Sequence, residues 1–400
     1  MKNMRGKMKR VYLDHNATTP LHPEVKKYMF EKIDLFGNPS SMHEFGRESR
    51  REVEKNRKII ADFINADPDE IMFVGSGSEA NNTVLSLSAC PLKSCNIQGL
   101  MKPKLITSKI EHPAIIETVK CLHGKSADVE YVNVDSDGKI DMIHLEEVLK
   151  EEQALLVSIM MANNEIGTIQ NIKEIAALVH KYHAFFHTDA VQATGKIEID
   201  VKDLDVDFLT MSAHKIYGPK GIGALYIKKG VPFCPLIHGG HQEDGRRAGT
   251  ENSLGILGFG KAIEMRKTEM QPEGDRLLKF KNKLKKGILD QVTHTRVVGH
   301  ETDCIPGTLN ISFEGVEGES ILLYLDLMGI AVSTGSACSS GSLEPSHVIL
   351  ATGLDDEFAH GSIRFSLGRD TTEDEIDYVL DTLPGIIAKL RKMSTRELRS

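Results

Sequence analysis

Short apolar runs alternate with helical segments over about residues 50–230, and this alternation restricts the possible folds more than any other feature. The runs are IMFVG (71–75), KLITS (104–108), ALLVSIMMA (154–162), AFFHTDA (184–190) and VDFLTMS (206–212). Such runs are typical of strands buried on both faces. The segments SEANNTVLSLSA, PAIIETVKCLHG and NIKEIAALVHKYH between them carry apolar residues at helical spacing. The pattern predicts an α/β fold with a mainly parallel sheet covered by helices on both faces, and ligands at the carboxyl ends of its strands.

The pattern of apolar and charged residues changes after about residue 262. A long charged helical stretch, RLLKFKNKLKKGILDQV, is followed by strand-like TLNISFEG, helix-like ESILLYLDLMG and a last amphipathic helix over about 372–392. We therefore predict a large domain over residues 21–262. A smaller α+β domain is predicted from residues 1–20 and 263–400 together.

Composition and charge narrow the class of protein. The 400 residues are 40% hydrophobic and 26% charged, as in globular enzymes. A net charge of −8 argues against nucleic acid as a main partner. The start, MKNMRGKMKR, lacks the apolar core of a secretory signal, and no stretch approaches 18 uninterrupted apolar residues, so we predict a cytoplasmic protein with no membrane partner. Six cysteines without a C-x-x-C pair predict no metal site.

Two segments at predicted strand ends carry groups suited to a charged ligand. In VGSGSEANN (74–82) a strand gives way to Gly and Ser before a helix, so backbone N–H groups can bind an anion; a plain helix cap is the alternative. HTDAVQ (187–192) ends a strand with Asp189 and Gln192. A carboxylate there needs a cation or several donors, and the alternative is a helix cap or a structural ion pair.

A third segment, MSAHKIYGPKGIGALY (211–226), places Ser212, His214 and Lys215 after the next strand, before a turn and an antiparallel strand. A lysine in this setting can act as nucleophile and base, whereas a solvated surface lysine is the alternative. The three segments together offer an anion cradle, a carboxylate for a protonated ring nitrogen and an amine for an aldehyde. These are the requirements of pyridoxal 5'-phosphate, which we predict as the cofactor.

Cys338 lies in the loop sequence STGSACSSGSLEP (333–345), whose serine, glycine and threonine content suits neither a core nor a regular element. It lacks the nearby second ligand of a metal-binding cysteine. Its local sequence leaves two interpretations open: an accidental surface thiol, or a nucleophile carried on a loop.

Motifs along nearly the whole chain resemble those of a known family. They are YLDHNATTP (12–20), FGNPSSMHEFG (36–46), GSGSEANN, EHPAI (111–115), NNEIGTIQ (163–170), HTDAVQ, SAHKIYGPKGIG, RRAGTEN (246–252), STGSACSSGSLEPSHV and SIRFSLGR. In these the chain resembles the class I cysteine desulfurases (NifS/IscS-like), which are fold type I pyridoxal-phosphate enzymes of the aminotransferase class V family.

The resemblance implies a role for each matching residue. Lys215 matches the Schiff-base lysine, Asp189 the partner of the ring nitrogen and Gln192 the donor to the phenolic oxygen. His112 matches an imidazole stacked on the ring, also a candidate acid–base group, and Asn164 a contact to the ring oxygen or the substrate. The implied phosphate set is Gly77, Ser78, Ser212 and His214, completed by Thr250 of a second subunit, so a homodimer is implied.

The resemblance also implies the substrate and the reaction. Arg364 matches an arginine that clamps the carboxylate of L-cysteine, and Asn38 lies near the same pocket. Cys338 would accept sulfur as a persulfide, leaving L-alanine, and pass it to an acceptor protein such as an iron–sulfur scaffold, for iron–sulfur cluster assembly or thiolation. Alternatives are a selenocysteine lyase, another pyridoxal-phosphate lyase or aminotransferase of this fold, or a non-catalytic scaffold or sulfur-binding protein.

Overall fold

Strands and helices alternate along the chain, and the computed structural model describes them over residues 9–89, 103–335 and 345–393. The strands are β1 (Val11–Tyr12), β2 (Ile71–Val74), β3 (Lys104–Ser108), β4 (Asp128–Val132), β5 (Ala154–Ser158), β6 (Phe185–Asp189), β7 (Phe208–Ser212), β8 (Gly223–Ile227), β9 (Thr295–Val298), β10 (Thr308–Phe313), β11 (Ile330–Ala331) and β12 (Ser362–Ser366). The helices are α1 (Pro23–Glu31), α2 (Glu44–Phe63), α3 (Gly77–Leu85), α4 (Pro113–Leu122), α5 (Met142–Glu151), α6 (Ile172–Lys181), α7 (Val201–Leu204), α8 (Ser253–Gln291), α9 (Gly318–Leu327), α10 (His347–Ala351), α11 (Asp356–His360) and α12 (Glu373–Met393).

Seven strands form the main sheet in the order β2-β8-β7-β6-β5-β3-β4. Strands β3 to β7 pair in parallel, and β8 runs antiparallel to both of its neighbours, β2 and β7. Alternate residues of β2 belong to two different hydrophobic clusters, one with α2, α5, α6 and the start of α8, the other with α3 and α4. Helices therefore cover both faces, and the predicted α/β fold is confirmed.

The apolar runs do not predict β4 or β8; the antiparallel strand expected after the turn in segment 211–226 is β8, so β4 is the one main-sheet strand that the sequence analysis missed. It lies at the sheet edge, and its residues alternate between exposed and half-buried up to Val132, which is buried. An edge strand of this kind does not need a continuous apolar run, because much of its surface faces water. The central strands β5 and β7, by contrast, are buried at every residue.

A second hydrophobic core lies beside the first. It contains residues of β1, β10, β12, α9 and α12. Strands β12, β10 and β9 form a three-stranded antiparallel sheet with β10 in the middle. Helix α8 serves both cores: Ile256 and Ile263 pack in the first, Leu277 and Leu284 in the second. This helix runs unbroken through residue 262, so the bounds of the two domains at residues 20 and 262 stay a prediction. No helix within the described ranges has both the length and the apolarity needed to cross a bilayer.

A buried ion pair attaches the loop before α8 to the sheet. Arg57 of α2 donates to both carboxylate oxygens of Glu243 at 2.7 and 2.8 Å, and the backbone N–H of Phe73 donates to the same carboxylate at 2.9 Å. Glu243 itself has φ of +48°, a conformation that is uncommon for residues other than glycine. The ion pair therefore holds this loop in a shape that its backbone would not favour alone.

We predict that Glu243→Ala lowers the free energy of unfolding by about 3 kcal/mol, the low end for breaking a buried pair, because it leaves the buried Arg57 guanidinium with only the half-exposed Glu54 carboxylate as a counter-charge. Urea denaturation followed by circular dichroism measures this. Lys58→Ala is the control: its pair with Asp62 is exposed on the same helix and should cost less than about 0.5 kcal/mol. Equal losses in the two variants would contradict the structural role of Glu243.

Candidate active site

The ends of three strands line up at one edge of the main sheet. Ser212 at the end of β7 pairs with Gly223, and Gly223 pairs with Val74 at the end of β2. Helix α3 begins just beyond, at Gly77, and Ser76 caps it by accepting from the Glu79 N–H at 3.1 Å. A Cβ at Gly77 would lie 2.8 Å from Val191 Cγ2, so glycine allows the helix N-terminus to approach β6 and β7 this closely.

Asp189 ends β6 as a buried carboxylate, 5% exposed. The Asn81 side-chain amide donates to Oδ2 at 2.7 Å, and the backbone N–H of Val191 donates to Oδ1 at 2.9 Å. A carboxylate has about four acceptor positions, so these two donors leave capacity for a further N–H group. The arrangement suits a cationic ring nitrogen.

Lys215 lies in a single 3₁₀ turn directly after β7. Its Nζ donates to the backbone carbonyl oxygens of Asn16 and Ala17, the second at 2.8 Å. Both acceptors belong to the N-terminal segment, which therefore holds the amine at the edge where β6 and β7 end. This position fits an amine that reacts with a ligand bound at the strand ends.

His112 caps the N-terminus of α4. Its Nδ1 accepts a hydrogen bond from the backbone N–H of Ala114 at 3.0 Å, so the neutral ring carries its proton on Nε2. Burial lowers the pKa of His112; the Asp189 carboxylate opposes this shift and the Lys215 ammonium adds to it. The ring is consequently neutral at pH 7, with a donor at Nε2, in the electrostatic field of both residues.

His214 and Ser78 belong to the phosphate set that the resemblance implies. His214 Nδ1 lies 3.1 Å from the Thr18 hydroxyl. Burial, and then the nearby Lys215 charge, lower the His214 pKa to about 4, so the ring is neutral at pH 7. Ser78 is exposed in the first turn of α3, next to Gly77. An anion here would meet helix N–H groups and neutral donors.

Asn16 connects these elements, and the sequence analysis did not single it out. Its carbonyl oxygen accepts from Lys215 Nζ and from Gln192 Nε2, the second at 2.9 Å. Its side-chain amide donates to the Asn164 carbonyl at 3.1 Å and to the Thr308 hydroxyl at 2.9 Å. Asn16 is 3% exposed. The only signal in the sequence is its place in the YLDHNATTP motif.

Arg364 of β12 lies within two hydrogen bonds of Asn16. Its NH1 donates to the Asn164 carbonyl at 3.0 Å, and its NH2 donates to the Asp14 carboxylate at 2.9 Å. The Nε atom is buried and has no hydrogen-bond partner among the described residues. A buried donor without a partner is costly, and an incoming carboxylate would satisfy it.

Three predicted site residues are not brought to this cluster. Asn38 is exposed, and its Oδ1 accepts from the Ser40 N–H at 2.9 Å; no described hydrogen bond links it to Arg364 or Lys215. Thr250 is exposed, and no described hydrogen bond joins it to the phosphate set of its own chain. Cys338 lies outside the described residues.

Sequence reasoning also missed Asn81, Lys196 and Glu165. Lys196 donates to the Gln192 amide oxygen at 2.7 Å. Glu165 follows Asn164, and burial raises its pKa to about 7, although a hydrogen bond from the Ser346 hydroxyl opposes the shift. Asn81 lies in the GSGSEANN motif and Glu165 in NNEIGTIQ, but polar residues in these motifs could equally face water. Only their burial distinguishes them.

The chemistry of this donor set fits pyridoxal 5'-phosphate. The Asp189 carboxylate suits its ring nitrogen, the Lys215 amine its aldehyde, and the N-terminus of α3 its phosphate. Over the part of the chain that the structure describes, no group of three or more His, Cys, Asp or Glu side chains could hold a metal ion.

We predict that the Asn81–Asp189 hydrogen bond contributes about 1.5 kcal/mol to the stability of the cofactor-free protein, the low end for a bond to a charged group. Asn81→Leu should show that loss in urea denaturation at pH 7. In an Asp189→Asn background the same substitution should cost much less, because the charged acceptor is gone.

Asn82→Leu is the matched control, since the Asn82 amide donates to the Ser78 and Ala114 carbonyls rather than to Asp189. Its effect should be the same in both backgrounds. Additive losses for Asn81→Leu and Asp189→Asn would show that the two side chains do not interact.

Comparison with known proteins places the chain in a family. Residues 11–379 match the family described as aminotransferase class-V. The sequence is 49% identical over 393 residues to cysteine desulfurase IscS of Dictyoglomus turgidum, covering 97% of each chain. A solved NifS-like protein aligns with a TM-score of 0.87 at 38% identity, over 96% of this chain and 100% of that one.

A further solved structure, "SspA in complex with cysteine", aligns with a TM-score of 0.78 at 34% identity, over 89% of this chain and 98% of that one. The resemblance that the motifs suggested is thus confirmed along nearly the whole length. The chain belongs to the aminotransferase class-V family and, within it, to the cysteine desulfurases.

Proposed function

We propose that this protein removes sulfur from L-cysteine, releases L-alanine and carries the sulfur as a persulfide on Cys338. One observation carries the proposal: Arg364 and Lys215 belong to a single hydrogen-bond network through the Asn164 carbonyl and Asn16. A group suited to an amino-acid carboxylate is thereby held beside a reactive amine. The full-length similarity to cysteine desulfurases supports the same reaction.

Pyridoxal 5'-phosphate is the cofactor that we propose for this site. Lys215, Asp189, Gln192, His112 and Asn164 would hold its ring. The phosphate would rest on Gly77 and Ser78 at the start of α3, with Ser212 and His214 beside it. When bound, the cofactor supplies an electron sink for the bonds at the substrate's α-carbon.

The residues of the chain then divide the work. Arg364 binds the substrate carboxylate through its guanidinium, whose Nε is without a partner in the described structure. Lys215 takes the α-proton from the substrate, and neutral His112 presents an N–H from Nε2. The Cys338 thiolate would form a bond to the substrate sulfur as the carbon–sulfur bond breaks. The electron pair of that bond would stay with the substrate carbon, which takes up a proton on the way to alanine, and the sulfur would remain on Cys338 as a persulfide.

A homodimer is part of the proposal, because Thr250 would complete the phosphate site of a second subunit. Thr250 lies on the loop that the Arg57–Glu243 pair holds, and it is exposed. Five large apolar side chains from the end of α1 to the first turn of α2 are also exposed: Phe30, Ile33, Phe36, Met42 and Phe45. The Phe36 and Phe45 rings are 5.2 Å apart, and exposed apolar side chains of this kind would be covered in a dimer.

The destination of the sulfur belongs to the proposal as well. We propose a cytoplasmic protein that passes its sulfur to an acceptor protein such as an iron–sulfur scaffold, for cluster assembly or thiolation. The structure named "SspA in complex with cysteine" is similar over 89% of this chain, which supports L-cysteine as the substrate. No observation in the described residues favours selenocysteine over cysteine.

Lys215 should be the residue that binds the cofactor covalently. We predict that the purified protein shows a visible absorption band, and that borohydride fixes the cofactor to Lys215, detected by peptide mass spectrometry. Lys220, exposed a few residues further on, is the internal control and should remain unlabelled. Label on Lys220, or on another lysine in place of Lys215, would disprove the assignment.

Cys338 decides between the nucleophile and the accidental thiol. Cys338→Ala should keep the cofactor and should still change its spectrum when L-cysteine is added, because the groups proposed to bind substrate lie elsewhere in the chain. Alanine and persulfide should both fall to background, since no thiolate is left to take the sulfur.

The control for the Cys338→Ala experiment is Cys121→Ala, which removes an exposed thiol from α4. Alanine production from L-cysteine should be unchanged in that variant. Near-normal turnover by Cys338→Ala would mean that Cys338 is an accidental surface thiol. It would favour a lyase of the same fold that needs no protein thiol.

A further inference from the structure

A second lysine lies beside Lys215, and the proposed reaction does not use it. Lys196 follows Gly195, whose φ of +68° turns the chain back toward the site. Lys196 Nζ donates to Gln192 Oε1 at 2.7 Å and to Asn16 Oδ1 at 3.2 Å. Both acceptors belong to buried residues, at 4% and 3% exposure. Lys196 and Lys215 also line the same cavity, together with Asn16 and Glu273.

The chemistry of an ammonium group determines how the two amides are oriented. Lysine has three donors and no acceptor, so the atom that faces Nζ must be an amide oxygen. With Oε1 turned to Lys196, the NH₂ end of Gln192 faces the other way, and one of its two N–H groups donates to the Asn16 carbonyl. The second N–H remains available to a ligand beside Lys215.

We propose that Lys196 is a positioning residue of the cofactor site, which holds the Gln192 amide so that its N–H end, and not its oxygen, is presented beside Lys215. This inference rests on the proposed function, because Gln192 is expected to donate to the phenolic oxygen of the cofactor. Without Lys196, the Gln192 amide could rotate by half a turn. Its oxygen would then face the phenolic oxygen of the cofactor, and both of these atoms are hydrogen-bond acceptors. Such a contact is repulsive.

The charges around Lys196 are consistent with this role. Burial, and then the nearby Lys215 charge, lower the pKa of Lys196 to about 7, whereas Glu273 of α8 opposes the shift. Arg266 of α8 and Arg364 of β12 are the other cations that act on it. Lys196 in turn lowers the pKa of His15 and of His214. The ammonium form of Lys196, which predominates below its pKa, enforces the orientation of both amides, because only the neutral amine has a lone pair that could accept from an amide N–H.

The test is a pH titration of the visible absorption of the cofactor-loaded protein. Removing the donor to the phenolic oxygen makes that oxygen more basic, and the proton that it shares with the Lys215 nitrogen is held more tightly. Lys196→Met should therefore raise the midpoint of the titration by roughly half to one pH unit. Gln192→Leu should raise it by a similar amount, because Lys196 acts through that amide.

The double variant, Lys196→Met with Gln192→Leu, separates positioning from a direct effect of charge. If Lys196 acts through Gln192, the double variant should titrate like Gln192→Leu alone. Additive shifts would overturn the proposal, since they would mean that the Lys196 charge acts on the cofactor independently. An unchanged midpoint in Lys196→Met would overturn it too. Lys202→Met, at a lysine whose side chain is 57% exposed, is the matched control and should titrate like the wild type.

Two further measurements keep the outcome unambiguous. If Lys196→Met does not fold, Lys196→Arg takes its place. Arginine keeps the donors, so the midpoint should stay within about 0.3 pH units of the wild type. A shift equal to that of Gln192→Leu would contradict the proposal. Borohydride labelling of the wild type reports on the proposed function separately. A wild type without a cofactor on Lys215 refutes that function, whereas a labelled wild type with an unshifted Lys196→Met refutes only the role of Lys196.

Discussion

The hydrogen bonds of Asn16 are the interaction on which the site depends. Its carbonyl accepts from Lys215 and Gln192 at the ends of the main sheet, and its side chain donates to Thr308 of β10 and to the Asn164 carbonyl. The residue therefore joins the first hydrophobic core to the second. Every polar atom in this buried position must find a hydrogen-bond partner. A displacement of either core would therefore change the position of the Lys215 amine.

The same edge of the sheet concentrates positive charge. Lys215, Lys196 and Arg364 lie around Asn16, and Asp14 provides the described ion pair of Arg364. Arg364 is buried and the two lysines are half-buried, and cations in such positions are costly unless anions accompany them. A cofactor phosphate and a substrate carboxylate would supply those anions. The site is thus arranged to favour anionic ligands before any reaction begins, which is consistent with an enzyme acting on amino acids through pyridoxal 5'-phosphate.

Rigid supports surround the residues that have to act. The Arg57–Glu243 pair holds the loop that leads to Thr250, and Asn81 holds Asp189. Lys196 belongs to this supporting set by our inference, because it contacts Gln192 rather than the expected position of the ligand. Supports of this kind are difficult to recognise from a motif. Their effect depends on which atom of a neighbouring side chain they face, and that is a property of the packed structure.

Much of the fold could be predicted from the sequence, because hydrophobic burial leaves a periodic record in the chain. The apolar runs predicted β2, β3, β5, β6 and β7, and the motifs predicted the family. Strand β4 was not predicted, because an edge strand faces water and does not need a continuous apolar run. Polar residues leave no such record: Asn16, Asn81 and Lys196 could have been solvated surface groups. Only tertiary structure determines which polar atoms are removed from water, and therefore which of them must pair with one another at the site.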